Sequence, residues 1–103
     1  MMRDERYQQV KVLIQQGYIK EFTQIFKTIP KSIFHVDIGV NYRRISKMIT
    51  DLGSISITEI YTMSAVLDIE FMTMLTLIIR EHNRRKTAKK ITLDNTNKGT
   101  SLK

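Results

Sequence analysis

Through the first 83 residues apolar side chains recur at steps of three and four, interrupted by isolated glycines and a single proline. That spacing gathers them on one face of a helix and not on one face of a strand. From Asp4 to Gln16 the set is Tyr7, Val10, Leu13 and Ile14, and Gly17 follows as a residue that tolerates the left-handed conformation past a helix end. Ile19, Phe22, Ile25, Phe26 and Ile29 repeat the pattern. Pro30 has no amide hydrogen, so it ends this second helix near Thr28 and opens a third, with Ile33, Phe34 and Ile38 inward, that stops before Gly39.

Asn41 can cap a fourth helix in which Ile45, Met48 and Ile49 form a narrow apolar seam opposite Tyr42, Arg43, Arg44, Ser46, Lys47 and Thr50. After a turn at Leu52-Gly53-Ser54, the run Ser56-Ile57-Thr58-Glu59 matches a capping box, with Ile55 and Ile60 positioned as its hydrophobic staple. The fifth helix breaks near Asp68, which is expected to cap a sixth from Ile69 to about Asn83. The spacing predicts an all-α fold, a compact bundle of five to six short helices.

Several function classes are excluded on chemical grounds. A chain of 103 residues is the size of one domain, and with no cysteine it has neither disulfides nor a thiolate zinc site. The longest apolar stretch, Phe71 to Ile79, is interrupted by Thr73 and Thr76 and falls far short of the roughly 20 residues that cross a bilayer, so no membrane partner is expected. The opening MMRDERYQQVK carries charge where a signal peptide is apolar, which makes the cytoplasm the expected compartment. His35 and His82 have no partner at metal-ligand spacing, so no metal is expected. No nucleophile and base pair, glycine-rich phosphate loop or paired carboxylate site is legible, so neither a cofactor nor catalysis is expected.

The formal net charge is +7, and its distribution says more than its sum. Residues 80–103 hold eight basic side chains against Glu81 and Asp94, a net +6, and lack sustained periodicity beyond Asn83. Residues 84–103 are therefore expected to be a mobile, disordered basic tail, with residues 1–83 as the folded domain. Within that domain Lys31, Arg43, Arg44 and Lys47 oppose Asp37 alone between positions 31 and 50.

Residues 31–50, KSIFHVDIGVNYRRISKMIT, have the form of a helix-turn-helix. Phe34 and Ile38 on the first helix, Val40 in the turn, and Ile45 and Met48 on the second are the apolar groups that lock two such helices, and Gly39 stands where the chain reverses. This stretch resembles the helix-turn-helix domains of the phage repressor and Cro type. The likeness runs on through ITEIYTMSAVLDIEF and covers roughly Ile19 to Leu77, with the helix at 4–16 as an N-terminal addition. The chain departs from the family at His35, where a small alanine is usual, so His35 must tilt outward or widen the helix crossing. Pro30-Lys31 also replaces the usual threonine or serine with glutamine, leaving Lys31 or Ser32 to meet phosphate.

The resemblance implies a sequence-specific binder of double-stranded DNA that regulates transcription by occupying an operator through the helix at 41–51. It turns Asn41, Tyr42, Arg43, Ser46 and Lys47 towards the major groove, with Arg44 at its margin. Arg43 has the chemistry to bond guanine O6 and N7 together, whereas Tyr42 can lay its ring on a thymine methyl or its hydroxyl on a phosphate. The apolar surplus of the helix at 69–83, including Met72, Leu77 and Ile79, is expected to join a homodimer. The rival expectation is a helical interaction module, or antitoxin-like partner, that uses this last helix and the basic tail.

Overall fold

The computed structural model describes residues 4–96, with side chains from 4 to 88. Among these residues the fold is all-α. Five α-helices are present, α1 (Glu5–Gln15), α2 (Lys31–Asp37), α3 (Tyr42–Thr50), α4 (Ile57–Leu67) and α5 (Phe71–Thr96), together with two short 3-10 segments, Phe22–Lys27 and Leu52–Ser54.

Local chemistry sets most boundaries. Asp4 caps α1 by accepting the Arg6 N–H at 2.9 Å, and the Arg6 guanidinium holds the same carboxylate down to about 2. Gly17 follows at φ +83°, and the Tyr18 N–H closes the helix end on the Leu13 carbonyl. Ser56 and Glu59 form the expected capping box at α4, each side chain accepting the other residue's backbone N–H.

Three expectations are corrected. The segment expected as a second α-helix at 19–28 is a 3-10 helix over Phe22–Lys27. Its buried residues Phe22 and Ile25 are three apart, which suits three residues per turn, and the span before Pro30 is short. Asp68 does not cap the last helix. It adopts the left-handed conformation at φ 57° as the stop of α4, while the Ile69 N–H reaches the Ser64 carbonyl and its own carboxylate pairs with Lys11 of α1 at 2.7 Å.

The third correction concerns only where the tail begins. Helix α5 continues without a break from Phe71 through Asn83 to Thr96, so residues 84–96 are helical. Its inward stripe of Met74, Leu77 and Ile78 passes into Glu81, 1% exposed. The Glu81 carboxylate accepts the Thr23 N–H (2.8 Å), the Thr23 hydroxyl (2.7 Å) and the Arg85 guanidinium (2.6 Å). Burial pushes the Glu81 carboxyl up, but these donors outweigh it and the net displacement is downward. Arg84 bonds Glu21 at 2.7 Å, so two residues assigned to the tail are tied to the body. The rest of the expected tail, residues 97–103, lies outside the described residues.

The core gathers side chains of every helix and of the 3-10 segment Phe22–Lys27, with Phe22, Ile25, Phe34, Met63, Leu67 and Met74 fully buried. Phe26 meets both Phe22 and Phe34 edge to face, at 5.5 and 5.7 Å between centroids. The Tyr7 hydroxyl donates to Asp37, joining α1 to the end of α2. Burial and this bond push the Tyr7 phenol above its ordinary value. Among the described residues no single helix is long and apolar enough to cross a membrane.

Candidate nucleic-acid interface

Helix α2 packs against α3 across a turn held by backbone hydrogen bonds. The Ile38 N–H donates to the Phe34 carbonyl, Gly39 turns at φ +78°, and the Val40 N–H reaches back to the His35 carbonyl at 3.0 Å. The Asn41 side-chain oxygen then accepts the Arg44 N–H at 2.7 Å and starts α3. Phe34, Ile38, Ile45 and Met48 are buried in the core and Val40 is half-buried.

The inner side of α3 is clamped from two directions. Arg44 donates to both Glu59 oxygens, Nε to Oε2 at 2.7 Å and Nη2 to Oε1 at 2.6 Å, and Nη2 also reaches the Ser54 carbonyl at 2.8 Å. These bonds, assisted by Ser56, hold the Glu59 carboxyl down at about 2. At the other end the Arg85 guanidinium donates to the Ile49 carbonyl at 2.9 Å and ties the C-terminal turn of α3 to α5.

The eight residues expected to meet DNA separate into groups. Arg44 leaves the candidate interface, because Glu59 and Ser54 engage its guanidinium. Asn41 is exposed, but its carboxamide oxygen serves the cap. Lys47 is exposed and faces Asp51 at 3.6 Å, an i,i+4 surface pair that contributes little. Ser46 is half-buried. Arg43 and Ser32 are exposed, and neither side chain is held by a hydrogen bond or ion pair among the described residues. Lys31 and Tyr42 are brought together, with the Lys31 ammonium 5.5 Å from the centre of the Tyr42 ring.

His35 is half-buried beside the turn and the start of α3. Its Nδ1 lies 2.8 Å from the Val40 carbonyl oxygen and its ring meets that of Tyr42 at 5.4 Å and 84°. The residue that departs from the family pattern therefore bridges the turn and the first residue of α3. No sequence signal marks this role, since it depends on a ring bonding a backbone carbonyl five residues later.

Away from this face, Leu77 is 2% exposed and belongs to the core, which removes it from the expected dimer surface. Met72 and Ile79 of α5 are exposed instead, as are Ile57 and Tyr61 of α4, with the Tyr61 ring 4.3 Å from that of Phe71. The segments Ile60–Leu67 and Phe71–Ile79, which supply most of this surface, contain no charged residue. The chain matches no protein-family model, no curated protein and no solved structure.

Proposed function

We propose that the chain is a sequence-specific DNA-binding protein of the repressor-like helix-turn-helix type, regulating transcription by occupancy. The observation that carries this reading is the two-sidedness of α3. One side is buried through Ile45 and Met48 and held by the Arg44–Glu59 pair, while Arg43 on the other is exposed and unpaired among the described residues. A rigid helix with an open arginine near its N-terminal end is what major-groove reading requires. Arg43 is the principal base-reading group, with Ser46 and Lys47 behind it, and Lys31 and Ser32 meet the backbone.

The exposed apolar residues Ile57 and Tyr61 of α4 and Met72 and Ile79 of α5 support a homodimer, which would set two copies of α3 on half-sites about one helical turn apart. The same residues favour a second reading, in which the chain is an interaction module and this surface takes a different protein. Selection of bound duplexes from a random pool by the purified chain separates the two. Enrichment of a palindromic site supports DNA reading, and absence of any enriched sequence overturns it in favour of the interaction module.

A further inference from the structure

We propose that Lys31 and Tyr42 form one phosphodiester-binding pair, with His35 as the positioning residue that sets the Tyr42 ring. On this basis the first residue of α3 grips the DNA backbone and does not read a base. The inference rests on the DNA-binding reading above and adds the ligand chemistry of one part of that interface.

Three observations carry it. First, Tyr42 is 48% exposed yet contacted from two sides, by the Lys31 ammonium over its ring and by the His35 ring set nearly perpendicular to it. A carbonyl oxygen can only accept, so Nδ1 of His35 carries the hydrogen in its bond to Val40, and that bond orients the imidazole against the tyrosine. The phenol ring is thus held before any ligand arrives, which lowers the ordering cost of binding.

Second, packing on a thymine methyl needs an apolar ring face, and an ammonium over the ring keeps that side charged and hydrated. Third, the Tyr42 hydroxyl and the Lys31 ammonium make no hydrogen bond or ion pair among the described residues. Asp37, the nearest carboxylate in sequence on α2, is engaged by Tyr7. Two free donors, one of them cationic, suit a ligand atom that carries negative charge and only accepts, such as a phosphodiester oxygen.

The test uses the full chain, a duplex recovered by selection and an unselected duplex. Tyr42→Phe keeps the ring, with any methyl contact, and removes the hydroxyl. It is expected to weaken binding about three- to tenfold on both duplexes alike, leaving the preferred sequence unchanged. A neutral methylphosphonate at the contacted backbone position, found by scanning each half-site, should weaken the wild-type chain more than Tyr42→Phe, in which only the Lys31 contact remains to be lost. His35→Ala should reproduce the loss at an unchanged melting temperature, and His35→Gln, which retains a side-chain N–H for Val40, should recover part of it. If replacing thymine by deoxyuridine weakens wild type and Tyr42→Phe equally but leaves Tyr42→Ala unaffected, Tyr42 is a base reader. That result overturns the proposal and leaves DNA binding intact. Tyr42→Phe binding as wild type overturns it as well, whereas a selection that enriches nothing removes the DNA reading itself.

Discussion

Arg44 of α3 and Glu59 of α4 lie fifteen residues apart in sequence and meet through two hydrogen bonds, at 2.7 and 2.6 Å, while the same carboxylate accepts the Ser56 N–H. One side chain thus closes the cap of α4 and holds α3 against it. The pair is mostly shielded from solvent, which makes it more than a surface ion pair.

Acid should loosen this clamp. The Glu59 carboxyl titrates at about 2 in the folded chain, below its ordinary 4.5. A depressed folded value stabilises fully above the unfolded value, and the contribution is lost as pH falls from about 5 towards 2. Glu59→Gln should therefore lower stability at neutral pH by roughly 1–3 kcal/mol and flatten the acid limb of a stability-against-pH curve. Denaturant melts at pH 7, 4 and 3 check this, and parallel curves for both proteins would remove Glu59 as the titrating group.

Arg43→Ala should weaken binding to a selected operator by about 1–3 kcal/mol and leave the melting temperature within a degree or two, because the side chain is exposed and unpaired. Binding isotherms on operator and random duplex decide its role. Equal loss on both would make Arg43 a phosphate contact.

Ile45→Asp should unfold the domain. Ile45 is fully buried in the core, and an unpaired carboxylate there costs several kcal/mol, a large share of the stability of a small domain. Circular dichroism reads the outcome directly, and an unchanged helical spectrum with an unchanged melt would contradict the burial of this position.

The basic C-terminal stretch should divide into an anchoring part and a charge-bearing part. A chain ending at Asn83 loses Arg84 and Arg85, hence the bonds to Glu21, Glu81 and Ile49, and should melt lower with Glu81 left short of a donor. A chain ending at Ala88 keeps those bonds and loses Lys89, Lys90, Lys98 and Lys103. If two or three of these lysines meet phosphates, its slope of log affinity against log salt should flatten by about two to three with sequence preference retained. Loss of preference in the longer chain would assign recognition to the removed residues.

Met72→Glu and Tyr61→Glu should each shift sedimentation towards monomer and weaken operator binding through loss of the second half-site, since both are exposed apolar side chains of α5 and α4. Leu77→Glu, by contrast, is a core substitution. At 2% exposure it should destabilise the fold instead.

Several caps and the two glycine stops are legible from residue order because the forces behind them act within about four residues. Gly17 and Gly39 stand at positive φ where the chain had to turn, Asn41 and Ser56 cap as their side-chain oxygens allow, and Phe34, Ile38, Ile45 and Met48 are buried as their spacing demands. The fate of the polar groups was not legible. Arg43 and Arg44 are adjacent and chemically identical, and they differ because Glu59 and Ser54 reach one and not the other.

The same reason explains the long α5 and the short 3-10 segment. Periodicity of apolar residues ends near Asn83, yet Arg84 and Arg85 continue the helix by bonding Glu21 and Ile49, residues 63 and 36 positions away. Thr23 meets Glu81 across 58 positions and His35 is turned towards Tyr42 by the Val40 carbonyl. Backbone preference and apolar spacing are local and survive in the order of residues. Which charges pair, and which remain open to a ligand, depends on how the chain closes on itself, and tertiary packing alone decides that.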